Sequence, residues 1–121
     1  MDPRQKLPDA SHPITVTPTG SRVVVTLDGV VIADTTDALT LQESTYPAVQ
    51  YLPVGAVDPD VLRVSDQHTY CPFKGEADYY DLGRAGELAN AVWTYRAPYD
   101  AVAPIKDHVA FYPNKVTITV G

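Results

Sequence analysis

One cysteine stands in the whole chain, so no internal disulfide can staple the fold and no two-cysteine redox cycle can run within it. A closed zinc site wants about four Cys or His ligands, and the chain offers one Cys and three widely spaced His. No structural metal or resident cofactor is therefore expected. No apolar run approaches the ~20 residues that span a bilayer. Residues 1–12 are polar and lack the apolar stretch of a secretory signal. Together these absences point to a cytoplasmic protein that does not enter a membrane. Basic residues are also few: 9 Lys and Arg against 15 Asp and Glu, a formal charge of −6. A nucleic-acid partner gripped by its phosphates would need a basic face, which this composition argues against.

What the chain does have is apolar residues, 45% of 121, enough for one core. Residues 1–12 read as a flexible N-terminal tail and 13–121 as a single domain. Eleven prolines punctuate short β-prone runs. The surest is a hairpin, Arg22–Leu27 and Val30–Ala33 across Asp28-Gly29, a pair suited to a type I′ turn. Leu39–Glu43 alternates as a half-buried strand, and Val49–Leu52 reads as another. In 57–62, Asp58 and Pro59 fit the N-cap and first residue of a short helical turn. Glu76–Leu82 and Asn90–Tyr95 read as strands and Tyr99–Ile105 as a short helix. Val109–Tyr112 and Val116–Val120 read as a closing hairpin. No segment carries a convincing helix of ten or more residues. Seven to nine short strands with one or two short helices make a mainly β fold of antiparallel sheets, a sandwich or a partly open barrel.

The densest chemistry lies in Asp66–Gly75. Cys71 is either a reactive thiol or a small buried hydrophobe. Lys74, wedged between Phe73 and Gly75, suits an anionic group. If the stretch is extended, alternation sets Thr69, Cys71 and Phe73 on one face and His68, Tyr70 and Pro72 on the other. Thr69 and Cys71 can then line one pocket, and His68 is separated from the thiol. Glu43 shares its face with Leu39 and Leu41, so it points inward and needs a partner, for which Lys74 is the natural candidate. Tyr46, Tyr51, Trp93 and Tyr95 either wall a cleft or pack a core. Arg96 could hold a phosphate or a carboxylate. His12 and His108 read as surface residues.

Several runs together resemble a known family. They are Val30–Thr35, Leu41–Ser44 with Tyr46-Pro47, Thr69–Ala77, Trp93–Pro98, and Ile105 with Val109–Tyr112. In order and spacing the chain is similar to the bacterial and fungal family catalogued as domain of unknown function 427, with Cys-Pro-Phe-Lys-Gly the sharpest piece. The resemblance implies a small β domain whose two antiparallel sheets meet like a tent, of the Mss4-like kind. That group includes zinc modules and B-type methionine sulfoxide reductases, but the Cys-x-x-Cys knuckles that hold zinc are missing here. The family also carries a nucleotidyltransferase label, for which the chain has no P-loop and no Gly-Ser pair with spaced aspartates.

The expected function is small-molecule binding, with or without catalysis, in a pocket of Glu43, Tyr51, Thr69, Cys71, Lys74, Trp93 and Tyr95. The ligand could be anionic. Two alternatives stay open: a non-enzymatic module that binds protein through a strand edge or aromatic patch, and a thiol-dependent reductase or transferase using Cys71. Open sheet edges would also permit a homodimer.

Overall fold

A computed structural model describes residues 2–121. Ten strands form two antiparallel sheets, and the only helical segments among the described residues are short 3-10 turns. The strands are β1 Ile14–Pro18, β2 Val23–Leu27, β3 Val30–Thr35, β4 Leu39–Glu43, β5 Val49–Pro53, β6 Leu62–Cys71, β7 Gly75–Leu82, β8 Leu88–Thr94, β9 His108–Phe111 and β10 Thr117–Val120. Seven of them make a sheet in the order β1-β4-β5-β9-β8-β7-β6, and three make a second in the order β10-β2-β3. None of the described helical segments is long and apolar enough to cross a membrane.

Local chemistry sets the turns. Asp28 and Gly29 sit at φ 50° and 80°, the left-handed pair that a type I′ hairpin demands. The Asp58 carboxylate accepts from the Asp60 amide at 2.9 Å, with Pro59 opening the turn 59–61 behind it.

The seven-stranded sheet is covered on both faces. Alternate residues of one strand go to opposite sides. Leu52, Val92, Val109 and Phe111 pack with Val23, Val25 and Ile32 of the small sheet. Tyr51, Trp93 and Ala110, their immediate neighbours, face the other way with Leu41, Tyr79 and Tyr95. Val102 and Ile105 of the 3-10 turn Asp100–Ile105 cap that second cluster. Neighbouring residues of β5, β8 and β9 thus serve two separate cores.

Two expectations need correction. The final segments do not form a hairpin: β9 lies between β5 and β8, so both of its edges are taken, and β10 crosses to pair with β2. Strand β6 was foreseen only in its second half, as a loop or strand edge around Asp66–Gly75. It lies at the edge of its sheet with mostly exposed side chains, and its pairing with β7 is irregular between Val64 and His68. Neither feature leaves an apolar alternation to read.

Candidate functional site

The Cys-Pro-Phe-Lys-Gly motif is the turn between β6 and β7. Cys71 pairs with Gly75 in register, and the Lys74 amide donates back to the Cys71 carbonyl at 3.3 Å. Gly75 holds φ 110°, where a side chain is strained, and a Cβ there would come 3.4 Å from the Ala97 carbonyl oxygen. The Lys74 carbonyl accepts from the Tyr99 amide at 2.9 Å. The turn is thereby fixed against residues 97–99, and the lysine side chain is aimed across the sheet rather than into solvent.

It meets Glu43, the last residue of β4. Lys74 Nζ donates to Glu43 Oε1 at 2.5 Å, and the two side chains are only 12% and 14% exposed. The other carboxylate oxygen lies 2.8 Å from His12 Nε2. The His12 ring stacks on Phe73 at a centroid distance of 4.2 Å. Burial pushes the Glu43 carboxyl up, but the hydrogen bonds and charges of Lys74 and His12 outweigh it, and its pKa falls below the ordinary value. Lys74 Nζ also points at Cys71 Sγ, 3.7 Å away.

The pair opens into a cavity of about 260 Å³. Leu41, Val49 and Tyr51 line one side, and Tyr79, Trp93, Tyr95 and Tyr112 the other. Trp93 Nε1 donates to the Tyr51 hydroxyl at 3.1 Å, with the two rings edge to face. Tyr112 leans on Trp93 with ring centroids 4.7 Å apart. Tyr46 and Pro47 complete the rim. Their turn follows Ser44 in the left-handed region at φ 49°, and Gln42 Nε2 ties it down through the Tyr46 carbonyl at 2.6 Å. Burial raises the pKa of both Tyr51 and Tyr95, which keeps the two phenols protonated.

Of the seven residues expected to build a pocket, five line this cavity: Glu43, Tyr51, Lys74, Trp93 and Tyr95. Cys71 is half-buried beside Lys74, and Thr69 is exposed on β6 with its hydroxyl 2.8 Å from that of Tyr79. Neither lines the cavity. Alternation does separate His68 from the thiol: His68 Nδ1 bonds Asp78 at 2.6 Å, and Asp78 in turn forms an ion pair with Arg96 at 2.9 Å. His68, Glu76 and Asp78 could offer ligand atoms within 4.8 Å of one another to a cation, but Asp78 is already shared between His68 and Arg96.

Sequence reading missed His12, set aside as a surface residue, and Tyr79 and Tyr112. His12 comes from a segment without periodicity and reaches Glu43 from 31 positions away, so only the folded chain reveals it. Tyr79 shared its face with Ala77 in a segment already read as a strand, and that parity was the available signal.

A mainly β domain with a charged pair at the mouth of an aromatic cavity is the class that this fold and site define. The chain belongs to the family described as domain of unknown function DUF427, whose family model matches residues 15–121. No curated protein matches the chain closely.

Proposed function

We propose that the protein binds a small molecule in the cavity between β4, β5, β7 and β8, with the Glu43–Lys74 pair as its polar anchor. The observation that carries this reading is the pair itself. A lysine and a glutamate that served only solubility would stand in water, where an ion pair contributes about 0–1 kcal/mol. Here both are largely withdrawn from solvent, and they open onto a hollow rather than packed side chains. Concave, mostly apolar sites with a few convergent polar groups are where small ligands bind.

Thermal-shift measurement against nucleotides, sugar phosphates, thiols and small carboxylates checks the reading. A ligand at a hundred times its Kd adds about 2.7 kcal/mol of stability, several degrees in a domain of this size. The shift should vanish in Lys74→Ala and shrink in Tyr46→Ala, whose side chain is exposed at the rim. A ligand shift that survives both changes would place binding elsewhere.

A second reading rests on the contact between Lys74 Nζ and Cys71 Sγ. Thiol chemistry at Cys71 with an external thiol as partner is the alternative. Cys71→Ser that keeps ligand binding and any thiol-dependent turnover removes it.

A further inference from the structure

The hydrogen-bonding capacity left over in the cavity includes donors that no lining group takes up. Glu43 has one oxygen engaged by Lys74 and the other by His12. Lys74 has three N–H donors. One goes to Glu43, one points at the Cys71 sulfur, and the third is unspent. The Tyr51 hydroxyl accepts from Trp93, but its own proton meets no acceptor among the described residues. The Tyr95 hydroxyl makes no hydrogen bond among the described residues, although the residue is only 6% exposed. Among the described residues no fully buried side-chain oxygen or nitrogen lacks a partner, so the Tyr95 oxygen must be open to the cavity that it lines. One lysine N–H that can only donate and two hydroxyls that can donate or accept therefore line the same hollow, and the only carboxylate in its lining is already engaged.

We infer that the cavity takes a singly charged carboxylate borne on a single flat ring. This rests on the small-molecule reading above and specifies its ligand. The carboxylate accepts from Lys74, Tyr51 and Tyr95, and the ring lies along Trp93 beneath Tyr46. Charge favours a monoanion over a dianion. The lining holds one lysine and no arginine, and that lysine is shared with Glu43, so each further negative charge is more poorly matched. Size favours one ring. A cavity of about 150 Å³ accommodates benzene, and drug-sized ligands use about 300 Å³ or more. The observed 260 Å³ fits a ring with one carboxylate.

The test uses four probes on the full chain: benzoate, its neutral counterpart benzamide, benzylammonium and inorganic phosphate. Binding is followed by the Trp93 indole N–H resonance, in the parent, in Tyr95→Phe and in Lys74→Met. Tyr95→Phe removes one oxygen and leaves the ring in place, and an unchanged denaturation midpoint verifies its fold. Benzoate should bind saturably and at least about tenfold tighter than benzamide, the worth of one charge-assisted hydrogen bond. Tyr95→Phe should weaken benzoate by about tenfold and leave benzamide nearly unchanged. Lys74→Met should abolish the preference for the anion. Benzamide or benzylammonium binding as tightly as benzoate would keep a ligand site and overturn the anion. Phosphate binding more tightly than benzoate would overturn the monoanion. Benzoate binding unaltered in Tyr95→Phe would overturn the donor cradle. Failure of all four probes overturns the carboxylate assignment, while the wider thermal-shift panel still judges the small-molecule reading separately.

Discussion

Glu43 holds three segments together: its own strand, the 72–74 turn through Lys74, and the N-terminal segment through His12. Its pKa is lowered in the folded protein, so the unfolded chain takes up the proton first as pH falls. The stability Glu43 supplies is complete above the ordinary carboxyl value of about 4.3 and is lost as pH drops through the lowered folded value. Urea unfolding of the parent and of Glu43→Gln at stepped pH measures this. The difference should shrink below about pH 4 as Glu43 takes up its proton. Other carboxylates lowered by local bonds, such as Asp9 and Asp34, are common to both proteins and cancel. At this scale the sequence was informative about Glu43 and Lys74, because an inward carboxylate needs a cation and few were available. It was silent on His12, since nothing in residues 1–12 signals that Lys6 bonds the Pro72 carbonyl at 2.9 Å or that Arg4 lies 3.8 Å over the Tyr70 ring.

The element that places the lysine is the β6–β7 turn, and Gly75 is its constraint. Gly75→Ala must hold a Cβ at φ 110° against the Ala97 carbonyl, so it should destabilise by about 1–3 kcal/mol. It should also weaken ligand binding by displacing Lys74, whereas Gly55→Ala, with open space around it, should do neither. Denaturant midpoints and ligand titration of the two variants make the comparison. Elements with strong local chemistry were legible: the Asp-Gly hairpin, the Asp58-Pro59 turn and the alternating β4. Strand β6 was legible only in its second half, because an exposed edge strand needs no apolar period. The partner of β10 was not legible, because it depends on β9 already having two neighbours.

At the scale of the molecule, the two faces of the large sheet carry separate cores. Phe111→Ala hollows the core between the sheets and should cost about 3–5 kcal/mol, read as a lower denaturation midpoint. Its neighbour Ala110 faces the other core, so the same strand can be probed on either face. Pairings such as Leu52 with Val109 join residues far apart in the chain. Folding should accordingly take milliseconds to seconds, as stopped-flow mixing can measure. That the chain would form antiparallel sheets was evident from its short runs and prolines. That there are two sheets was implied by the family resemblance and holds; which strands share them is a property of the assembled whole.

The single tryptophan is a wall of the cavity, bonded to Tyr51 and leaning on Tyr112. Selective excitation of indole fluorescence therefore reports on that one place and nothing else in the chain. The protein carries its own optical probe, so titration of an unlabelled compound into native protein suffices to see the cavity fill. A quencher added beforehand shows how open it stands.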